Sequence, residues 1–242
     1  MNEKPIVPAS WQRRLPAEPD PDCGFCPRLA VFRNSLRTAQ PEWHNAPVPV
    51  FGALDAHLLV VGLAPGLRGA NRTGRPFTGD FAGDLLYKTM IEYGFATGPY
   101  GAEANDGLRL VSGAITNAVR CVPPQNKPAP SEINSCRPFL AATIAAMPDL
   151  RAIVALGRVA HESIVRAFGL KPAVFPFAHG AEHILATALS PEAAGIRAPS
   201  GARKIALFDS YHCSRYNTNT GVLTQEMFRA VFAKARERLR RL

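Results

Sequence analysis

The stretch HLLVVGLAPGLRGANRTGRPFTGD, residues 57–80, places a continuous apolar run directly before a glycine-rich loop. An apolar run without polar alternation is typical of a strand that is buried on both faces of a parallel sheet. Similar runs recur at 114–119, 151–157 and 204–212, with helix-like segments between them. This alternation predicts an α/β fold: a single domain whose central four-stranded, largely parallel sheet is flanked by helices on both faces.

The predicted helices are identified by apolar residues at three- and four-residue spacing. They cover residues 26–40, 82–94, 131–146, 158–169 and 224–242, with Ser131 capping the third. An N-terminal arm, residues 1–22, is expected to precede the domain at 23–242. We expect irregular structure in this arm and in three other segments: a proline-rich loop at 120–132, an insertion at 190–203 and a polar loop at 213–221. Residues 176–183 are predicted to be a loop or a short strand.

The chain is basic: its 242 residues carry a net charge of +9 and its pI is about 9.7. A basic excess indicates a polyanionic partner, most often nucleic acid, with ordinary solubilising charge as the alternative. No apolar stretch reaches the roughly 18 residues that a membrane span needs, and residues 1–20 lack the pattern of a secretory signal. We therefore expect a cytoplasmic protein that does not enter a membrane.

The glycine-rich loop fits neither common phosphate-binding pattern. It lacks G-x-G-x-x-G, and the correctly spaced pair Gly69 and Gly74 is followed by Arg75 and Pro76 instead of Lys and Ser or Thr. A proline has no backbone N–H with which to bind phosphate. The sequence therefore argues against mononucleotide binding at this loop.

The same loop has the residues for a flat ligand. Gly62 and Gly66 lack a Cβ, so a planar group can approach the backbone closely there. Phe77 offers a stacking face and Asp80 a carboxylate at the edge of such a pocket. The alternative is a solvated turn in which Phe77 belongs to the core and Asp80 caps the next helix.

The chain has five cysteines, which in a cytosolic protein indicate metal binding or catalysis rather than disulfides. Cys23 and Cys26 form a C-x₂-C pair, whereas Cys121 and Cys136 are isolated. Four thiolates in this arrangement can bind zinc or a [4Fe–4S] cluster. One close pair with two single ligands favours the cluster, because zinc sites more often use two close pairs. Unrelated buried cysteines are the alternative, and Cys213 is expected to be one.

Four stretches resemble a known family: GLAPGLRGANRTGRPFTGD at 62–80, TNAVRCVPPQNKPAPSEINSC at 116–136, FAHG at 177–180 and SYHCSRYNTNTGVLT at 210–224. With the leading CGFC they are spread along nearly the whole chain, in the order expected for the family 5 uracil-DNA glycosylases, which are broad-specificity enzymes. The resemblance implies a four-stranded parallel sheet between helices, a [4Fe–4S] cluster and the removal of uracil from DNA.

The resemblance also implies roles for individual residues. It implies that the cluster ligands are Cys23, Cys26, Cys121 and Cys136. It implies that the base-binding residues are Gly62, Leu63, Ala64, Gly66, Phe77, Asn117 and His212, and that the catalytic residues are Asp80, Asn117 and His212. The chain departs from the family at two of these stretches, with Gly66 in place of the usual alanine and Cys213 in place of the usual proline of H-P-S.

A base inside a duplex is accessible only when its nucleotide is flipped out of the stack, so we expect phosphate contacts, a wedge and a pocket. The predicted DNA contacts are Arg72, Arg75, Ser214, Arg215, Tyr216 and Asn217, with Tyr216 or Arg215 at the tip of the wedge. In the pocket, Asn117 would pair with the uracil edge and neutral His212 would donate to O2 of the departing base. Asp80 would orient the attacking water, with Asp84 as the substitute.

The sequence thus predicts a hydrolase: a monomeric, monofunctional uracil-DNA glycosylase of base excision repair that acts on double-stranded DNA. Single-stranded DNA and other deaminated bases remain open as substrates. The [4Fe–4S] cluster is expected to be structural. Two alternatives are a non-catalytic nucleic-acid-binding protein with a structural metal and a cytosolic redox carrier. The binding protein does not need Phe77, Asn117 and His212 to lie together, and a redox carrier rarely needs a charge of +9 or a loop such as SYHCSRYNTNTG.

Overall fold

A computed structural model describes residues 18–186 and 203–241 of the chain. Its strands are β1 Phe51–Gly52, β2 Leu58–Gly62, β3 Ala96–Thr97, β4 Arg109–Leu110, β5 Gly113–Asn117, β6 Ala152–Leu156, β7 Glu182–Ala186 and β8 Lys204–Ser210. Its helices are α1 Pro27–Ala39, α2 Ala70–Thr73, α3 Phe81–Glu92, α4 Pro130–Ala146, α5 Arg158–Ala167, α6 Arg215–Asn219 and α7 Gln225–Arg240. Short 3₁₀ turns occur at Pro124–Asn126 and Pro172–Val174.

The main sheet has the strand order β1-β5-β2-β6-β8-β7. Its four central strands run parallel, which confirms the predicted parallel sheet. The edge strands β1 and β7 pair antiparallel with β5 and β8, so this sheet has six strands rather than the predicted four. Neither edge strand has a continuous apolar run: β1 is two residues long, and most residues of β7 are exposed or half-buried.

The sheet separates two hydrophobic layers, as the prediction of helices on both faces requires. Successive residues of a strand point to opposite faces, so the LLVV run of β2 contributes to both layers and is fully buried. On one face Val60 packs in a cluster with residues of α3 and α7, such as Phe232. On the other face Val61 packs with residues of α4 and α5, such as Ile164.

The start of α4 corrects one prediction. The helix begins at Pro130, so Ser131 lies in its first turn and Ala129 occupies the cap position. Alanine has no side-chain oxygen with which to cap, and the Glu132 carboxylate instead accepts the backbone N–H of Ala129 at 2.7 Å. The prediction that Ser131 caps this helix is therefore wrong.

The polar segment 213–221 is not an irregular loop, because it contains the short helix α6. Ser214 caps this helix by accepting the backbone N–H of Asn217 at 3.3 Å. The predicted insertion at 190–203 lies outside the described residues except for its last position, and so do residues 1–17 of the predicted N-terminal arm. Among the described residues, the helices are all too short or too polar to cross a bilayer.

The parallel register brings the ends of the central strands to one edge of the sheet. Gly62 and Asn117 are paired at the ends of β2 and β5, and Leu156 and Ser210 are paired at the ends of β6 and β8. Open α/β sheets bind ligands beyond the carboxyl ends of their strands. The loops that follow β2, β5 and β8 are therefore the expected walls of a site.

Candidate active site

A cleft of about 430 Å³ lies where these loops meet. This volume is within the range of small-molecule sites, roughly 300–1,000 Å³. The predicted base-binding residues that line the cleft are Leu63, Ala64, Gly66, Phe77, Asn117 and His212. The structure thus brings together residues from three separate stretches of the sequence.

Phe77 belongs both to the core and to the cleft. Its side chain is 5% exposed and packs in the hydrophobic cluster between the sheet and α3, yet its ring also lines the cleft. Its backbone has a φ of +53°, a conformation that residues other than glycine adopt at a cost. The Tyr100 hydroxyl donates to the Phe77 carbonyl at 3.2 Å and thereby helps to hold this conformation.

Gly62 allows Phe77 and Asn117 to approach the end of β2. A Cβ at Gly62 would lie 2.4 Å from the Phe77 ring and 2.5 Å from Asn117 Oδ1. Asn117 is only 3% exposed, and its Oδ1 has no hydrogen-bond partner among the described residues. A buried acceptor without a partner costs about 1–3 kcal/mol. This oxygen therefore indicates a ligand that supplies a donor.

Asp80 caps α3 and also lines the cleft. Its Oδ1 accepts the backbone N–H of Gly83 at 3.1 Å. Its Oδ2 faces Gly66 and Gly69, where added Cβ atoms would lie 3.1 and 2.6 Å away. Burial raises the pKa of Asp80, although the backbone N–H groups of Gly83 and Ala82 act in the opposite direction. The fold therefore retains a partly desolvated carboxylate with one oxygen beside the glycine-rich loop.

His212 follows β8 and presents a neutral imidazole to the cleft. Its ring lies almost parallel to that of Phe77, with centroids 6.0 Å apart and planes inclined by 28°. Burial lowers the pKa of His212 to about 4. At neutral pH the ring therefore has one N–H donor and one acceptor. The Asn217 side chain donates to the His212 carbonyl at 2.8 Å and so fixes the backbone at this position.

The predicted DNA contacts differ in what they can do. Ser214 and Arg215 line the cleft, and the Arg215 guanidinium lies 5.2 Å from the centre of the Phe81 ring. Tyr216 projects from α6 with 74% of its surface exposed. The Asn217 amide is used within the protein, as described above, so its position fits support of His212 rather than a direct DNA contact.

The two arginines of the glycine-rich loop are paired with acids. Arg72 is partly exposed and forms two hydrogen bonds with the Glu103 carboxylate, at 2.9 and 3.1 Å. Arg75 is buried and forms two hydrogen bonds with Asp106, at 2.7 and 2.8 Å. The Arg75 guanidinium also lies over the rings of neighbouring aromatic residues, among them Tyr87. The prediction that Arg75 contacts a phosphate does not fit this position; the residue braces the loop that carries Phe77.

Comparison with known proteins identifies the family. Residues 49–236 match the sequence profile of the uracil DNA glycosylase superfamily. The chain belongs to this superfamily. Proteins described as type-5 uracil-DNA glycosylases match it over most of its length. That of Thermus thermophilus is 41% identical over 88% of this chain and 92% of the relative. That of Pyrobaculum aerophilum is 36% identical over 88% of this chain and 88% of the relative. That of Mycobacterium tuberculosis is 39% identical over 89% of this chain and 77% of the relative.

The four cysteines Cys23, Cys26, Cys121 and Cys136 lie close together in the fold and are called the cysteine cluster below. The first two residues precede α1, Cys121 follows β5, and Cys136 is in α4. All four line one small cavity. Burial and the other three thiols raise the pKa of Cys26 to about 12. The fold therefore brings the predicted ligands together from three separate segments.

The surroundings of the cysteine cluster fit a bound metal group. The buried Arg33 guanidinium donates to Cys121 Sγ at 3.6 Å, and the Arg120 backbone N–H donates to Cys136 Sγ at 3.3 Å. Such donors stabilise negative charge on sulfur ligands and tune the group that they hold. A cation and an N–H directed at sulfur suit thiolates better than unrelated free thiols.

Asn126 is a cleft residue that the sequence did not reveal. It lies in the 3₁₀ turn after Cys121, where Gln125 and Asn126 both have positive φ angles, +56° and +57°. The available signal was weak: asparagine tolerates this backbone conformation, and the PPQN sequence indicates a turn. Nothing in the turn itself predicted that it would reach the cleft.

Proposed function

We propose that this chain hydrolyses the N-glycosidic bond between uracil and deoxyribose in DNA and leaves an abasic site for base excision repair. The observation that carries the proposal is the convergence of Phe77, Asp80, Asn117 and His212 on one cleft. Together they supply a stacking face, a carboxylate, an amide and a neutral imidazole. The type-5 uracil-DNA glycosylases that match this chain support uracil in DNA as the substrate.

Phe77 and Asn117 would bind the flipped base. The Phe77 ring offers an apolar surface against which a pyrimidine can lie. Asn117 Oδ1, which has no hydrogen-bond partner among the described residues, would accept N3–H of uracil, while its NH₂ group donates to O4. Cytosine has an unprotonated N3 and an amino group at C4, so the same amide in the same orientation would be mismatched at both atoms.

His212 would stabilise the departing base. Cleavage leaves negative charge on uracil, and a fixed donor in a partly desolvated site stabilises charge that develops at O2. Because burial lowers the pKa of His212 to about 4, the imidazole can donate a hydrogen bond at neutral pH without being charged. The contacts at Tyr211 and Asn217 hold the backbone on either side of the imidazole.

Asp80 would orient the water that attacks C1′. Its Oδ1 accepts the Gly83 N–H, while its Oδ2 lies beside the glycine-rich loop at Gly66 and Gly69. The carboxylate would also stabilise the positive charge that develops on the sugar. A general base of this kind accelerates a reaction by about 10²–10⁴-fold. Asp84 is not among the described residues that line the cleft, so the structure favours Asp80.

DNA would bind across the mouth of the cleft. Ser214 and Arg215 line the cleft, and the exposed Tyr216 of α6 would act as the wedge. The net charge of +9 supports a polyanionic partner whose affinity falls as salt rises. We propose that the chain acts as a cytoplasmic monomer on double-stranded DNA.

The cysteine cluster would hold a [4Fe–4S] cluster. Four thiolates around one zinc ion lie about 3.8 Å apart, given a Zn–S bond of about 2.3 Å. A search of the described residues for three or more ligand atoms within 4.8 Å of one another finds His161, His183 and Asp209. The sulfur atoms of the cysteine cluster do not meet this criterion. The wider separation favours a polynuclear group, which would supply a rigid crosslink between α1, α4 and the loop after β5.

The test is the release of free uracil by the purified protein. The substrate is a labelled duplex with one uracil opposite guanine, and the control is the same duplex with thymine in place of uracil. We expect free uracil and alkali-labile sites from the first duplex only. Binding to both duplexes without release of uracil would support a non-catalytic DNA-binding protein instead.

A further inference from the structure

The FAHG segment, residues 177–180, lies against the end of β8 beside the cleft. The Gly180 N–H donates to the Asp209 carbonyl at 2.8 Å, and the Asp209 N–H donates to the Ala181 carbonyl at 3.0 Å. These bonds align the segment with the last residues of the strand. They place His179 next to Tyr211, the residue that precedes His212.

His179 makes two contacts with Tyr211. The backbone N–H of Tyr211 donates to His179 Nδ1 at 3.1 Å, and the two rings are stacked with centroids 5.0 Å apart and planes inclined by 24°. Because Nδ1 accepts a hydrogen bond, the ring is neutral with its proton on Nε2. The imidazole also hydrogen-bonds the backbone of Met227, and burial lowers its pKa, which favours the neutral form.

The backbone of His212 is thus held on both sides. His179 binds the N–H of the preceding residue, and Asn217 binds the carbonyl of His212 itself at 2.8 Å. No hydrogen bond of the His212 imidazole to the described residues is seen, so its orientation depends on this backbone and on the Phe77 ring. A misplacement of about 1 Å at a reacting centre can cost about 100-fold in rate.

We propose that His179 is a positioning residue for the glycosylase reaction: its Nδ1 holds the Tyr211 N–H and thereby aims the His212 imidazole into the cleft. The inference rests on the proposed function, because the role of His212 belongs to it. His179 itself touches neither base nor sugar. Its contribution is to keep the segment 211–214 in one conformation.

Two nearly isosteric variants test the proposal. In His179→Asn the side-chain oxygen lies near the place of Nδ1 and still accepts the Tyr211 N–H, whereas His179→Leu removes the acceptor. We expect the Leu variant to lower the single-turnover rate of uracil release by about 30-fold or more, with DNA affinity within about two-fold. The Asn variant should restore the rate to within about three-fold of the wild type. Equal rates in both variants, or an equal loss of rate and affinity in the Leu variant, would overturn the proposal.

A second readout does not depend on activity. The side-chain ¹⁵N–¹H resonances of His212 report the environment of its imidazole in the free protein. They should shift and broaden in His179→Leu and remain near their wild-type positions in His179→Asn. Unchanged His212 resonances in the Leu variant would overturn the positioning role. If the wild type releases no uracil, the proposed function fails, while these spectra still decide whether His179 positions His212.

A third variant covers the case in which the Leu variant does not fold. The amide of His179→Gln lies near the place of Nε2, so it keeps the contact with Met227 but loses the one with Tyr211. We expect its rate and its His212 resonances to follow the pattern given for the Leu variant. A Gln variant with the wild-type rate and wild-type resonances would show that the Nδ1 contact is not needed.

Discussion

The rings of Phe77 and His212 face each other with centroids 6.0 Å apart, although they belong to loops after different strands. β6 lies between β2 and β8 in the sheet, and the parallel register brings the ends of all three strands to one edge. The proposed binding of a single flipped base in the cleft depends on this convergence. Had the two rings been on opposite sides of the molecule, the proposed base site would not exist.

The close approach at Gly62 gives a first prediction. A Cβ at this position would lie 2.4 Å from the Phe77 ring and 2.5 Å from Asn117 Oδ1, so Gly62→Ala must displace both side chains. We expect the rate of uracil release to fall by about 100-fold. Overpacking should also destabilise the fold by about 1–3 kcal/mol, measured by denaturant unfolding.

Gly66→Ala is the matched control for Gly62→Ala. Its Cβ would lie 3.1 Å from Asp80 Oδ2, a contact that a shift of a few tenths of an ångström relieves. The rate should therefore change by less than about five-fold, with unchanged stability. If Gly66→Ala impairs the enzyme as much as Gly62→Ala does, general sensitivity of the loop explains both results better than the contact with Phe77 and Asn117.

Arg75 and Arg215 should have opposite effects on stability and DNA binding. Removal of Arg75 leaves the buried Asp106 carboxylate without its partner, which costs about 3–5 kcal/mol. Arg215→Ala should leave the free energy of unfolding unchanged but reduce the slope of log affinity against log salt by about one. Affinity titrations at several salt concentrations, together with denaturant unfolding, measure both quantities. A reduced salt slope in a folded Arg75→Ala variant would support the original prediction that Arg75 contacts a phosphate.

The pH dependence of kcat/KM reports the ionisation of Asp80 and His212. In the proposed mechanism both groups act in their deprotonated form, so the protonation of either at low pH lowers the rate. Burial raises the pKa of Asp80 above its usual value, whereas burial lowers the pKa of His212 to about 4. The rate of the wild type should therefore fall on the acid side of the profile. Near neutral pH the profile of the His212→Gln variant should have the same shape as that of the wild type. A fall in rate near pH 6.5 that is present in the wild type and absent from His212→Gln would contradict a His212 that is neutral at this pH.

Cys121 and Cys213 form a matched pair for the proposed metal site. Both thiols are buried, but only Cys121 belongs to the cysteine cluster. We expect the wild type to be brown and to contain iron and acid-labile sulfide in equal amounts. Cys121→Ala should lose the colour and the iron, whereas Cys213→Ala should keep both. Stoichiometric zinc in a colourless wild-type protein would contradict the iron–sulfur proposal.

The sequence predicts the centre of this fold well and its periphery poorly. The LLVV run of β2 and the similar runs of β5, β6 and β8 predict a buried parallel sheet because each fills two hydrophobic layers. The edge strands lack that signal. The helix α6 is five residues long, and its Ser214 cap and the contact of Asn217 with His212 help to hold it. Helical periodicity cannot show in so short a segment.

The sequence likewise predicts some residues of the candidate site and misses contacts that depend on the folded chain. Phe77, Asn117 and His212 could be assigned because they stand in recognisable motifs at strand ends. The burial of Arg75 could not, because its partner Asp106 belongs to a distant loop and no local pattern pairs the two. His179 also stood in a recognised motif, but its contact with Tyr211 follows from the antiparallel docking of β7 on β8. Such tertiary pairings are visible only in the folded chain.

The most direct test of the account is the single-turnover rate of uracil release by His212→Ala, measured together with its affinity for the uracil-containing duplex. If His212 stabilises the departing base, the rate falls by about 10²–10³-fold. The affinity should then stay within about three-fold of the wild type, because the proposed DNA contacts of Arg215 and Tyr216 do not involve His212. An unchanged rate, or a loss of affinity as large as the loss of rate, would contradict the claim that the cleft between Phe77 and His212 is where the bond is broken.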